Sequence, residues 1–149
     1  MLNYQTVPTF AIWGTKSGTT RTSIAVASTY GTESGFTVPT KAFETGGFSK
    51  MNVDILYTMG ATETSNSIEV KVEGSPDRTN WYRIPNDSTS AGTSTLTARE
   101  FTFVGTNAAA ATISIGLDIF YKYVKVSGKE SGVVTNAGTV YAEATLGGL

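Results

Sequence analysis

Hydrophobic and polar residues alternate along much of this chain, as they do in strands that have one face in a core and one face in water. The clearest case is residues 68–73, where Ile68, Val70 and Val72 alternate with three charged residues. The same two-residue period predicts further strands at 48–59, 101–103, 112–115, 119–127 and 139–146. A first core strand is predicted at 23–29, and residues 36–43 fit an edge strand or a loop better than a central strand because Pro39 interrupts them.

A tight turn is predicted directly after the strand at residues 68–73. Gly74, Ser75, Pro76 and Asp77 are residues that favour chain reversal, since Pro76 fixes its own φ and Asp77 can accept a hydrogen bond from the backbone. Aromatic and branched residues resume at 81–84 and are followed by Pro85. We therefore expect a β-hairpin over residues 67–85.

The complete pattern predicts an all-β fold. Short strands separated by turns, with no helix longer than a turn or two, indicate two antiparallel sheets packed as a jelly-roll-like β-sandwich. The 25 Thr, 14 Ser and 16 Gly residues agree with this class. Residues 105–111 (GTNAAAA) are predicted to be a helical turn or a small-residue loop, and residues 86–97 (NDSTSAGTSTLT) a long polar loop that is either solvated or makes a contact.

Residues 1–22 show no regular period, and we predict that they form an extended N-terminal arm before a single sandwich domain at 23–149. The arm carries large apolar side chains, among them Tyr4, Phe10 and Trp13, which must be covered by something. One interpretation is that they fold back over their own domain. The other is that they lie on a neighbouring subunit, in which case Tyr4, Phe10 and Trp13 are the partner-binding residues. Deletion of residues 1–22 would then leave a folded domain that no longer binds its partner.

Composition narrows the function classes. A chain of 149 residues fits one domain with a sizeable core. Its 11 basic and 12 acidic residues are nearly balanced, so neither nucleic acid nor a membrane is an expected partner. Neither a signal peptide nor a membrane-spanning segment is expected, because the chain has no basic leader and no long apolar run. Cys and His are both absent, which removes thiol chemistry and the commonest general base and metal ligand.

Candidate chemistry is limited to a few acidic and aromatic residues. Asp77 and Asp87 flank the predicted hairpin and could form a glycosidase-like carboxylate pair, although acids in turns more often cap the backbone. Together with Asp54 and Asp118 they could offer oxygen ligands to calcium, but the spacing of a calcium loop is missing. We therefore predict a protein that is not an enzyme and has no cofactor or metal site.

Two segments resemble a known class of protein. Residues 70–84 (VKVEGSPDRTNWYRI) and 121–131 (YKYVKVSGKES) are similar to bacteriophage virion structural proteins, in which a strand ending in Val-Glu-Gly-Ser is followed by Pro-Asp-Gly-Thr-Asn-Trp-Tyr. This resemblance implies a structural protein located in the virion, most of all a capsid decoration or cement protein. Its expected partners are other virion proteins, chiefly the major capsid protein, and its own copies in a homo-oligomer, with a trimer favoured. A neck, tail or fibre protein is the alternative within this class.

A weaker resemblance leads to the discoidin-like, galactose-binding jelly-rolls. Its matching positions are Val72, Ser75, Asp77, Trp81, Tyr123, Val124 and Val126. It implies a jelly-roll fold, but the loops that bind sugar or lipid in those proteins have no recognisable counterpart in this sequence. Apart from the resemblance, exposed aromatic side chains near Trp81 and Tyr82 could form a sugar platform, although a Trp at the start of a strand after a tight turn is more often a core residue. A carbohydrate-binding module is therefore the alternative function. Arg78 stands where both patterns usually have glycine, so the turn either avoids a positive φ there or is strained. The resemblances together cover about residues 67–128.

Overall fold

We describe the chain from a computed structural model, which describes residues 7–33, 38–84, 99–104, 110–133 and 135–148. These residues contain strands and turns and no helix, so none of them forms a helix long and apolar enough to cross a membrane. The strands are β1 (Thr9–Trp13), β2 (Thr15–Ser17), β3 (Thr20–Thr22), β4 (Ile24–Ala25), β5 (Thr40–Glu44), β6 (Lys50–Thr58), β7 (Ser67–Ser75), β8 (Tyr82–Arg83), β9 (Arg99–Val104), β10 (Ala110–Asp118), β11 (Tyr123–Ser131) and β12 (Thr139–Gly147).

Two antiparallel sheets pack against each other. The first has the order β1-β12-β6-β10, with β4 also paired to β12. The second has the order β5-β11-β7-β8, with β9 also paired to β7. The strands β2 and β3 form a separate two-stranded ribbon. The predicted all-β, antiparallel two-sheet sandwich is confirmed.

The core lies between the sheets and is built from the alternating apolar positions. In β6, Met51, Val53, Ile55 and Tyr57 are buried while the residues between them are half-buried. This strand pairs over nine residues with β12 on one side and with β10 on the other. The inward positions of β7 and β11 in the second sheet face the first sheet, where the inward positions of β12 lie beside those of β6. These core residues include Ile68, Val70, Val72, Val124, Val126, Val140, Ala142 and Ala144.

The N-terminal residues 9–13, which were predicted to lie in the arm, form β1 at the edge of the first sheet. Thr9, Phe10, Ala11 and Trp13 pair with residues 142–145 of β12, with a bulge between Ala11 and Trp13. Because of the bulge, the consecutive residues Ile12 and Trp13 are both completely buried. The Trp13 indole Nε1–H donates a hydrogen bond to the Val126 carbonyl at 3.2 Å, which links the first sheet to the second.

Some predicted strand limits differ from those observed. The predicted strand at 23–29 is reduced to β4, and the predicted strands at 112–115 and 119–127 are instead β10 at 110–118 and β11 at 123–131. Gly116 and Gly128 lie just beyond the predicted strands, but both continue a ladder, opposite Asn52 and Val70 respectively. Ala110 and Ala111 pair with β6, because sheet pairing outweighs the helical preference of alanine. The loop at 86–97 and residues 105–109 lie outside the described residues.

Candidate functional site

The turn at residues 75–80 joins β7 to β8 and completes the predicted hairpin. The Asp77 carboxylate accepts hydrogen bonds from the backbone N–H groups of Asn80 at 2.8 Å and Thr79 at 2.9 Å, and from the Asn80 amide at 2.6 Å. The hydrogen bonds from Asn80 and Thr79 hold the pKa of Asp77 well below its ordinary value. This carboxylate therefore caps the turn. Asp87, its supposed catalytic partner, lies outside the described residues.

Arg78 has a left-handed backbone, with a φ of +63°. A non-glycine residue in this region is strained, so of the two expectations for Arg78 the strained one is observed. The hydrogen bonds from the Thr79 and Asn80 backbone N–H groups to the Asp77 carboxylate offset part of the energy of this strained conformation. The Arg78 guanidinium lies 3.5 Å from the Glu33 carboxylate, which belongs to the segment preceding β5. The turn thus holds a positive charge beside an acidic group from a distant part of the chain.

A groove of about 230 Å³ opens next to this turn. We call it the Trp81 groove; its lining residues are Gly31, Thr32, Glu33, Thr40, Arg78, Trp81 and Lys125. The Lys125 ammonium lies 4.4 Å from the centre of the Trp81 ring and 3.1 Å from the Glu73 carboxylate. The groove therefore combines one aromatic ring with charged groups of both signs, an arrangement that can bind a polar ring-shaped ligand by stacking and hydrogen bonding.

Glu33 is the acidic group of the Trp81 groove. Burial alone would raise the pKa of Glu33, but hydrogen bonds from Lys41 and from the Ala42 backbone, with the charges of Lys41 and Arg78, lower it below the ordinary value. The Lys41 ammonium lies 3.2 Å from the Glu33 carboxylate. Glu33 is therefore ionised at neutral pH and is suited to accept hydrogen bonds rather than to donate a proton.

Tyr82 follows Trp81 and is half exposed, at 50%. Its ring stacks on that of Tyr121, with the centroids 6.2 Å apart and the planes 10° apart. Trp81 itself is partly buried. The two aromatic residues that were proposed as a sugar platform thus both keep some exposed surface, and they lie beside the capped turn.

The predicted partner-binding residues are placed differently from one another. Trp13 is completely buried in the core of its own domain. Phe10 is half-buried and packs edge-to-face on Phe43, with the ring centroids 5.0 Å apart. Trp13 is therefore enclosed by its own domain, whereas Phe10 keeps part of its surface exposed. Tyr4 lies outside the described residues.

A second polar cluster lies on the outer face of the first sheet, where the β2–β3 ribbon contacts β12. The Glu143 carboxylate lies 2.9 Å from the Lys16 ammonium and 3.3 Å from Arg21 Nε, and it accepts a hydrogen bond from the Tyr141 hydroxyl at 2.8 Å. Burial alone would raise the pKa of Glu143, but the Lys16 and Tyr141 hydrogen bonds and the charge of Arg21 lower it. Burial and the hydrogen bond to Glu143 raise the pKa of Tyr141 to about 12.

This Glu143 cluster was not identified from the sequence. Its basic residues come from the ribbon and its acidic residue from the last strand, more than a hundred residues away. The only available signal was the polar face of β12, where Tyr141 and Glu143 alternate with Val140 and Ala142. That signal marks a covered polar face but does not identify what covers it.

Glu130 is a buried carboxylate at one end of the sandwich, with 1% of its surface exposed. It accepts hydrogen bonds from the Tyr57 hydroxyl, from the Asn66 amide at 3.2 Å and from the Gly138 backbone N–H at 2.8 Å. Burial and the neighbouring Glu130 carboxylate raise the pKa of Tyr57. Because its donors come from β6 and from the residues before β7 and β12, Glu130 fixes the loops at this end of the sandwich.

The three acidic residues considered for calcium that the structure describes, Asp54, Asp77 and Asp118, are not brought together. Asp54 lies opposite Ser114 in the first sheet, Asp118 lies opposite Lys50 at the end of the same strand pair, and Asp77 lies in the turn between β7 and β8 of the second sheet. Within the described ranges, no group of three or more acidic side chains is close enough to hold a metal ion.

Comparison with known proteins adds no assignment, since neither a protein-family model nor a curated protein matches this chain.

Proposed function

We propose that this chain is a non-enzymatic structural protein of a phage particle, acting as a capsid decoration or cement protein. The observation that carries the proposal is the position of the two segments that resemble virion proteins. They are separated in sequence but form the neighbouring strands β7 and β11, which pair over nine residues from Ser67 opposite Ser131 to Ser75 opposite Tyr123. The likeness therefore covers one continuous unit of the second sheet and its turn.

The strand order supports interpreting the sandwich as a jelly-roll. The chain passes between the sheets at most of its connections: β5 and β7 lie in the second sheet, whereas β1 and β6 lie in the first. The later strands continue the alternation, with β10 and β12 in the first sheet and β11 in the second. Two interleaved sheets of this kind are typical of jelly-rolls, which are a common architecture of capsid proteins.

The mechanism that we propose is stabilisation by linked binding. A subunit that binds the assembled shell but not its separated parts stabilises the shell by mass action. Such a subunit must keep its shape, and three features favour a rigid body here: the nine-residue ladders, the Trp13 hydrogen bond between the sheets, and the buried Glu130 network. We infer that it binds the major capsid protein as a homo-oligomer, with a trimer favoured at three-fold positions.

The test uses phage particles that carry or lack this protein. Particles whose genome has the reading frame deleted are expected to assemble but to release their DNA at a lower temperature than complete particles. Adding the purified protein back is expected to restore the release temperature, and mass spectrometry is expected to find the chain in purified particles in stoichiometric amounts.

Two results would contradict the decoration role. One is a chain that is absent from purified particles, which would remove the virion proposal as a whole. The other is deleted particles with normal DNA retention that lack tails or do not adsorb to the host, which would make the chain a neck, tail or fibre protein instead.

Carbohydrate binding is a second candidate, favoured by the exposed Tyr82 and the Trp81 groove. A glycan array is expected to give hits, and a bound glycan is expected to raise the melting temperature of the wild-type chain. Tyr82→Ala should abolish that rise. The matched control Val133→Ala, an exposed apolar residue beyond the other end of β11, should retain it. An array without hits, or a rise unaffected by Tyr82→Ala, removes this candidate.

A further inference from the structure

The edges of the two sheets are protected to different degrees. An exposed strand edge offers unpaired N–H and C=O groups to any other strand, and proteins normally block it with proline, charged side chains or bulges. Among the strands that the structure describes, three of the four outer edges carry such features. β1 follows Pro8 and contains a bulge, β5 follows Pro39 and contains Lys41, and the sequence of β9 includes Arg99 and Glu100.

The fourth edge, β10, carries almost none of these features. It is nine residues long, whereas β1 and β5 have five and β9 has six. Its sequence AATISIGLD contains no proline and no lysine, and its register with β6 runs without a bulge. Asp118 is its single charged residue, and it lies at the end of the strand opposite Lys50. Among the residues that the structure describes, no strand pairs with the outer edge of β10.

We propose that this edge pairs with β10 of a second copy of the chain, antiparallel and about a two-fold axis. The inference rests on the proposed structural function and names the contact between copies. With the axis at Ser114, Ile113 of each copy lies opposite Ile115 of the other, so apolar residues meet on the core side of the sheet. On the outer side, Thr112 lies opposite Gly116. The first sheets of the two copies then form one continuous sheet.

The charge distribution favours a second copy as the occupant. In this register Asp118 lies opposite Ala110, so no like charges face each other, and facing like charges would destabilise the pair. In a two-fold contact, the same backbone N–H and C=O groups of β10 are paired on both copies. Most homodimers use such a contact, in which both subunits present the same surface. Phe120, which is 87% exposed, lies two residues beyond β10 and adds apolar surface at the border of the contact.

The oligomer number tests the inference. A two-fold contact gives a dimer, or a hexamer if the chain also forms the trimer favoured above, so the wild-type mass is expected to be an even number of chains. The measurement is sedimentation equilibrium on the full chain over a wide range of concentration. A mass that corresponds to a monomer or a trimer at every concentration overturns the proposal.

Edge variants locate the contact. Thr112 and Ser114 are exposed, so Thr112→Lys/Ser114→Lys adds two charges to the edge without burying them. This variant is expected to weaken the two-fold association at least about tenfold, which corresponds to roughly 1.4 kcal/mol. Thr102→Lys is the matched control, since Thr102 is exposed on β9, the edge strand of the other sheet, and it should leave the association unchanged. Equal association of both variants and the wild type overturns the proposal.

A second measurement does not depend on the variants. Along residues 110–118, alternate backbone N–H groups point towards β6 and the others point outwards. In hydrogen exchange, the outward-pointing amides are expected to become more protected as the wild-type chain associates. Unchanged protection in an even-numbered oligomer would place the contact elsewhere and overturn the proposal. If the oligomer contains an odd number of chains and the protein is still found in particles, the β10 contact is wrong but the proposed virion function stands. If the chain dimerises through β10 but is absent from particles, the proposed function is wrong and the contact stands.

Discussion

At the scale of single residues, two glycines make room for aromatic rings. A Cβ on Gly128 would lie 2.8 Å from the Trp13 ring, and a Cβ on Gly74 would lie 2.1 Å from the Tyr121 ring. Both glycines lie within strands, where glycine normally weakens pairing. The strands predicted from the sequence end directly before both glycines, because the sequence does not show which ring occupies the space next to them.

We predict that Gly128→Ala destabilises the fold by about 1–3 kcal/mol. The added methyl group would contact the ring of Trp13, which is completely buried and whose indole is held by its hydrogen bond to Val126. Trp13 therefore has little freedom to move away. The free energy of unfolding measured by urea denaturation checks the prediction.

Gly147→Ala is the matched control for this substitution. Gly147 also lies in a strand, but no heavy atom lies within 4 Å of its Cβ position. Its replacement should be neutral or stabilise the fold by up to about 1 kcal/mol, because alanine restricts the unfolded chain. Equal free energies of unfolding for the two variants would show that the Trp13 ring moves away from the added methyl group without loss of stability.

At the scale of elements, the two-residue period predicted the long strands well. Residues 48–59 were predicted and 50–58 observed for β6, and residues 139–146 were predicted and 139–147 observed for β12. β1 was missed because its bulge buries Ile12 and Trp13 in succession, which removes the alternation. The Trp81 groove could not be predicted from the sequence, because its lining residues come from four separate segments of the chain. Of these residues, only Trp81 was identified from the sequence as a possible ligand contact.

The position of β1 changes the expected result of deleting residues 1–22. We predict that this deletion prevents stable folding, since it removes Ile12 and Trp13 from the core and exposes the edge of β12. Losing a buried tryptophan side chain alone costs about 3–5 kcal/mol, against a total stability of roughly 5–15 kcal/mol for a typical domain. Near-ultraviolet circular dichroism and urea denaturation measure the effect.

Deletion of residues 1–6 is the control, because it keeps β1 and its pairing with β12. This shorter deletion should leave the free energy of unfolding close to that of the full chain. If the chain lacking residues 1–22 instead unfolds cooperatively at the same urea concentration as the full chain, β1 does not contribute to the core as described.

At the scale of the whole molecule, basic side chains and backbone N–H groups stabilise ionised carboxylates on both sheets. The pKa values of Glu33, Glu69, Asp77 and Glu143 are all lowered. A group with a lowered folded-state pKa binds protons more readily in the unfolded chain, so its stabilising effect is present above the unfolded pKa and is lost as the pH falls through the folded pKa. The protein should therefore be at its most stable above the acidic range.

We predict that the melting temperature falls steadily as the pH is lowered from just above 4.5, the ordinary glutamate value, towards the lowered values of these carboxyls. Glu143→Gln should lower the melting temperature at neutral pH, because Lys16 and Arg21 lose their acidic partner, and should make the fall with acid smaller. Glu44→Gln, at an exposed residue 3.8 Å from Lys122, is the control and should keep the wild-type slope. Differential scanning calorimetry at a series of pH values measures these melting temperatures. If Glu143→Gln leaves the dependence of the melting temperature on pH unchanged, the ion pairs of the β2–β3 ribbon are too well solvated to stabilise the fold.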